Sequence, residues 1–148
     1  AAQLQAFPAR LAVDELFSLG TRDKAVWEKA TVEGIYLHGN TLFFRLVLSN
    51  RSAIPYEPDF IRFSLRDRKK VRRTAAQEEA LSPRYTYGRQ HQPVEADRRK
   101  VLVFALDKFT VSPDKLLLID LFEHQGSRHL QLRVRGRHLL NAAPLFFE

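Results

Sequence analysis

The chain contains no cysteine and no methionine among its 148 residues. Without cysteine there is no disulfide, no thiol nucleophile and no cysteine-ligated zinc. Glycine is scarce, and its six residues, at 20, 34, 39, 88, 126 and 136, stand singly at turns and strand ends. Neither a phosphate-cradling P-loop nor a dinucleotide fingerprint can be written from them. G-x-S-x-G is also missing, so no nucleophile elbow is encoded. No apolar run reaches the roughly 20 residues that a membrane-spanning helix needs. The sequence opens at Ala1 rather than at a translated start, which leads us to expect a processed product or a fragment of a longer precursor.

What is present suffices for a globular core. Hydrophobic residues make up 45% of the chain, and a domain of this length typically buries about 68–70% of the surface exposed when unfolded. The charge is lopsided, with 24 Lys and Arg against 17 Asp and Glu, a net +7. An excess of that size favours acidic partners or surfaces.

Near the start, Val13, Leu16 and Phe17 recur at i, i+3 and i+4, and Gly20 follows, which predicts a short helix over about 10–19. Residues 21–30 read equally as a helical turn or an early strand. From Val32 onward the period is two. Residues 31–38 and Thr41–Ser49 flank Gly39-Asn40, a hairpin signal. In the second run Leu42, Phe44, Leu46 and Leu48 share a face. Phe60–Arg68 alternates Ile61, Phe63 and Leu65 with Arg62, Ser64 and Arg66, predicting one packed and one wet face. Val101–Leu106 is apolar on both faces, as suits a central strand. Leu116–Glu123 and Arg128–Arg135 form a second hairpin through Gln125-Gly126, and Tyr85–Tyr87 adds a short strand.

Two segments interrupt the pattern. Asn50–Pro58 carries Pro55 and Pro58 and should cross between sheets or run along an edge. Arg73–Glu95 reads as a long excursion around one short strand. About seven strands without intervening helices predict an all-β fold, an antiparallel, immunoglobulin-like β-sandwich over residues 31–148, preceded by a helical or linker segment over residues 1–30.

Histidines at 38, 91, 124, 129 and 138 never form H-x-x-x-H. Glu123, His124 and His129 come nearest to a metal site, but three or four converging ligands are needed, so no metal, cofactor or catalytic residue is expected. The strongest local feature is Arg66-Asp67-Arg68-Lys69-Lys70-Val71-Arg72-Arg73, whose six bases less one acid give +5 of the total +7. Such a cluster suits nucleic acid, anionic lipid or an acidic protein patch, and equally a solvated loop that discourages aggregation. Arg133, Arg135 and Arg137 recur at i, i+2 and i+4, in phase with His129 and Gln131, and should form a row that is exposed or paired with carboxylates from an adjoining strand or subunit. Tyr85 and Tyr87 share a face near Arg84 and Arg89, but aromatics interleaved with bases, as nucleic-acid binding wants, are otherwise sparse. Asn50-Arg51-Ser52 matches a glycosylation sequon and is read instead as turn chemistry.

Four phrases carry a family resemblance. They are Glu33-Gly34-Ile35-Tyr36-Leu37-His38; Ile61-Arg62-Phe63-Ser64-Leu65-Arg66-Asp67-Arg68-Lys69-Lys70 running into Arg73-Thr74-Ala75-Ala76-Gln77-Glu78; Val103–Thr110; and Gly126-Ser127-Arg128-His129-Leu130-Gln131-Leu132-Arg133-Val134. In this order they resemble the TraN family of conjugative transposons, from about residue 33 to about residue 137. Ser127 stands where that family more often has a second glycine. The resemblance implies an exported, periplasmic or outer-membrane-associated component of a conjugative type IV secretion apparatus, similar to VirB/CagX/TrbG subunits of the outer-membrane core complex. It further implies a C-terminal β-sandwich that engages a small lipoprotein and a scaffold subunit, in a homo-oligomeric ring, and no catalytic residues. Arg66, Arg68, Lys69, Lys70, Arg72, Arg73, Tyr85, Tyr87, Arg133, Arg135 and Arg137 are the candidate partner-binding residues, with DNA binding through the basic cluster as the alternative.

Overall fold

The computed structural model describes residues 21–25, 28–68 and 78–144. The helix expected over 10–19 and the bases Lys69, Lys70, Arg72 and Arg73 lie outside them. Ten strands and one short helix follow in order: β1 (Thr21–Ala25), β2 (Glu28–His38), β3 (Thr41–Asn50), β4 (Pro58–Asp67), β5 (Glu79–Leu81), β6 (Tyr85–Tyr87), β7 (Arg98–Asp107), β8 (Lys115–Glu123), β9 (Leu130–Arg135), α1 (Gly136–Leu140) and β10 (Ala143–Pro144). One sheet has the order β1-β2-β3-β7-β6, with β10 parallel to β2; the other has the order β5-β4-β8-β9. The remaining pairings are antiparallel. Read as β2-β3-β7-β6 against β4-β8-β9, this is the A-B-E-D and C-F-G arrangement of an immunoglobulin-like sandwich. Strand β5 flanks β4.

All seven expected strands are present, and the differences are local. Of the two readings for residues 21–30, the strand holds for 21–25, which pairs with β2. Because β2 begins at Glu28, the first sheet already includes residues before 31. Segment 51–57 crosses from one sheet to the other, as its prolines suggest. The stretch before Val101 holds two short strands rather than one, β5 on the second sheet and β6 on the first. Strand β9 begins at Leu130 rather than Arg128, because the Arg128 side chain is committed to the loops.

Period two decides the core. From the first sheet Ala30, Val32, Ile35, Leu42, Phe44, Leu46, Leu102, Phe104 and Leu106 face inward; from the second, Phe63, Leu65, Leu117, Ile119, Leu121, Leu130, Leu132 and Val134 meet them. Phe63 lies at the centre, 5.0 Å from Phe104 and 6.1 Å from Phe44 between ring centroids. The inward set on β2 changes phase, from Ala30 and Val32 to Ile35 and Leu37, because the register shifts between Val32 and Gly34. This bulge leaves Glu33 as the extra residue. It thereby meets Arg45 of β3, a fully buried arginine on the outer face of the first sheet, in an ion pair. Gly39 opens the two-residue β2–β3 turn at φ +58°, a conformation in which glycine carries no penalty. At the other end, a Cβ on Gly136 would lie 1.8 Å from the Ser112 carbonyl oxygen, so only glycine lets α1 start against that backbone.

The Arg45–Glu33 pair yields a stability prediction. Arg45→Ala leaves Glu33 without this partner and should lower the unfolding free energy by about 3–5 kcal/mol, measured by urea denaturation. Arg45→Met, which keeps most of the volume, should lose less, since both variants remove the charge but only alanine also leaves a cavity at this buried position. Equal losses for the two variants would place the cost in the lost charge rather than in packing.

Candidate functional site

The outer face of the second sheet gathers the unusual side chains of the molecule. Cross-strand register lays them out in four rows over β4, β8 and β9. Arg66, Leu116 and Arg135 form one row, Ser64, Leu118 and Arg133 the next, and Arg62, Asp120 and Gln131 the third. Phe60, Phe122 and His129 form the last, stacked on one another with centroids 4.4 Å apart at each step and interplanar angles of 22° and 10°. Phe60 is 49% exposed. Period two puts these residues together because the alternate positions are consumed by the core.

Asp120 is the carboxylate at the centre of the face. It is buried, and its Oδ1 accepts from Gln131 Nε2 at 2.9 Å and meets His129 Nε2 at 3.1 Å. Arg62 Nη2 lies 3.7 Å from Oδ2. Arg133 Nε reaches Gln131 Oε1 at 3.5 Å. Leu116 and Leu118 are buried although they share this outer face; arginine side chains beside them can lay their methylene stems over apolar surface while the guanidinium stays wet. Ser64 Oγ, Arg66 Nε and Asp120 Oδ2 are buried and have no hydrogen-bond partner among the described residues. The expected wet face is therefore only half wet: Ser64 is buried and Arg66 partly so.

The sequence-derived candidates separate in space. Arg66, Arg133 and Arg135 converge on the face just described, and Arg68 follows just past the end of β4. Arg137 leaves the row, because the chain turns into α1 at Gly136. Tyr85 and Tyr87 lie on the opposite sheet, half-buried against Tyr36, Phe43, Val103 and Ala105. Sequence reasoning passed over Arg62, Phe60, Phe122 and Asp120 as site residues. A lone carboxylate inside Leu116-Leu117-Leu118-Ile119-Asp120-Leu121 was the signal to follow. Glu123, His124 and His129 do not converge: their partners are Arg128, Asp59 and Asp120 respectively. Asn50 of the sequon is buried, with Nδ2 donating to the carbonyls of Ile54 and Val94 and Oδ1 accepting from Ser52, so it serves the turn.

Arg128 anchors this end of the site. Its Nε donates to Glu123 Oε2 at 2.7 Å, its Nη1 to Ser52 Oγ at 3.1 Å and its Nη2 to the Pro55 carbonyl at 2.9 Å. The guanidinium sits 5.2 Å from the Tyr56 ring centroid, and Tyr56 Oη donates back to the Arg128 carbonyl. One side chain thus ties the β8–β9 hairpin to the crossover between sheets. Burial by itself would raise the Glu123 carboxyl, but hydrogen bonds from the Arg128 side chain and backbone and the Arg128 charge outweigh it and hold the group below its ordinary value.

A family described as a domain of unknown function, DUF4138, matches residues 14–144. No curated protein and no solved structure matches the chain significantly.

Removing the anchor has a pH signature. Arg128→Ala should cost about 2–4 kcal/mol at neutral pH, since it strips a buried carboxylate and two carbonyls of their donor, and Arg128→Lys should restore only part of it. The folded Glu123 binds a proton less readily than the unfolded chain, so its stabilisation is complete above the ordinary value of 4.5 and is lost as pH falls through the lowered one. Melting curves of wild type and Arg128→Ala should accordingly converge in acid. A gap that stays constant down to about pH 3 would contradict the assignment.

Proposed function

The chain belongs to the DUF4138 family, and from that premise we propose that it is a structural and interaction subunit of a conjugative type IV secretion apparatus. In this reading it sits at the periplasmic side of the outer-membrane core complex, is repeated in a ring, and binds a small lipoprotein and a scaffold subunit. The support comes from where the phrases resembling TraN proteins fall. Phe63, Leu65, Leu130, Leu132 and Val134 from those phrases are core residues, and Arg128 is the anchor. Among the residues of those phrases outside the core, Arg62, Arg66 and Arg133 land on one outer sheet face. A rigid sandwich that reserves one face for arginines is suited to holding other proteins. A partner strand added to a sheet edge, with the arginines selecting it, is the physical mode we favour.

A second reading, a binder of the transferred DNA, draws on one observation: Phe60 and His129 accompany the arginines, supplying aromatics that the sequence pattern did not place there. The stacking counts against it, since rings already packed on each other offer fewer free faces to bases.

Co-expression with the small lipoprotein of the same transfer operon, followed by purification through either protein, should yield a stable complex. Recovery of the two proteins separately would sink the interaction reading. The DNA reading instead requires log affinity to fall by about 0.9 per phosphate contact for each tenfold rise in salt.

A further inference from the structure

We propose that the outer face of β4, β8 and β9 is a docking surface for an acidic polypeptide segment that begins with an apolar residue. The inference rests on the reading above and deepens it by naming the chemistry of the partner, whose segment lies over this face rather than at a sheet edge. Three observations carry it. The first is the charge balance of the face, where Arg62, Arg66, Arg133 and Arg135, with Arg68 beside them, surround Asp120 at the centre, and Glu78 precedes β5 at the margin. Asp120 is not free to neutralise the row, because it is buried and already engaged by Arg62, His129 and Gln131.

The second observation is polarity along the strands. Apolar surface is concentrated at one end, where Phe60 is 49% exposed at the margin of the Phe60–Phe122–His129 stack, and guanidinium groups occupy the other. Successive rows lie about 7 Å apart along a strand, and residues two strands apart about 10 Å across. An extended segment with an apolar residue over the stack therefore brings every second side chain over successive rows. Carboxylates at those positions meet Arg62, then Arg133, then Arg66 and Arg135. Arginine rather than lysine at these positions favours planar, bidentate pairing with carboxylates.

The third is incomplete hydrogen bonding. Ser64 Oγ, Arg66 Nε and Asp120 Oδ2 lie on this face, buried and without a hydrogen bond among the described residues, although Arg62 pairs with the last at 3.7 Å. Such groups are normally paired with protein or with ordered water. A docked segment that displaces the arginine side chains brings polar groups within their reach.

The test uses a fluorescein-labelled peptide of Leu followed by alternating Thr and Glu, and reads anisotropy at low salt. The peptide should bind the wild-type domain, and Arg133→Glu with Arg135→Glu should weaken it about tenfold or more. Arg89→Glu with Arg98→Glu, an equal charge change away from the face, should leave binding nearly unchanged. Arg133→Gln with Arg135→Gln serves should the reversed pair fold poorly, and should also weaken binding. Phe60→Ser should weaken the Leu-headed peptide more than a Thr-headed one. No binding, equal loss in both reversed pairs, or displacement of the peptide by single-stranded oligothymidylate at equal phosphate and carboxylate concentration would each overturn the proposal, the last in favour of DNA. The two readings fail separately. Undiminished co-purification of the operon lipoprotein with the Arg133→Glu, Arg135→Glu variant defeats the docking surface and leaves the conjugation reading standing. Peptide binding without any lipoprotein complex defeats the conjugation reading alone.

Discussion

The contact on which the arrangement of this molecule depends is the Arg128 guanidinium. A sandwich is held along its length by the apolar layer between the sheets, but its ends are loops, and loops have no ladder to fix them. At this end one cation accepts that task. It joins Glu123 at the close of β8 to Ser52 and Pro55 in the crossover and lies against Tyr56, whose backbone in turn bridges to Val94. The two sheets are thereby registered at the end where the hairpin leaves one and the crossover enters the other. His129 follows Arg128 directly, so the aromatic stack on the outer face inherits its position from the same anchor.

Legibility in the sequence followed from whether a residue's neighbours were local or distant. Strands β3, β4 and β7 to β9 read correctly because alternation is a local signal, and burial of one face makes it nearly obligatory. The β2 phase change was hidden, since a bulge inserts one residue without altering composition, and Glu33 at the bulge carries no mark of its pairing with Arg45. Arg128 was read as strand for a related reason: its role depends on Ser52 and Pro55, which are more than seventy positions away. Arg137 shows the opposite failure. The i, i+2, i+4 row was extended one step too far, past Gly136, whose close approach to Ser112 ends the strand and begins α1.

The candidate site was half legible on the same grounds. Each arginine row could be seen within its own strand, Arg62 and Arg66 on β4 and Arg133 and Arg135 on β9. That the rows share one face, separated by β8, is a property of strand order. Sequence gives no direct access to strand order, and it is β8, with Asp120 and Phe122 between the rows, that turns two ordinary wet faces into one surface.

Solubility alone does not account for that surface. Charges that guard a sheet against aggregation belong on its edges; Arg133 and Arg135 are on the edge strand β9, whereas Arg62 and Arg66 are on β4, which β8 flanks along its length and β5 over residues 63–65. Lysine would serve solubility equally, yet the rows are arginine throughout. Burying a polar atom without a partner costs about 1–3 kcal/mol, and on this face Ser64 Oγ and Arg66 Nε have no hydrogen-bond partner among the described residues, while Asp120 Oδ2 has only Arg62 at 3.7 Å. A purely structural face would gain by exchanging Ser64 for alanine, because the core beneath, from Phe63 to Leu132, does not need its hydroxyl. A face that carries this expense while the opposite side of the same strands is packed apolar is better explained by a second body that completes it than by contact with water.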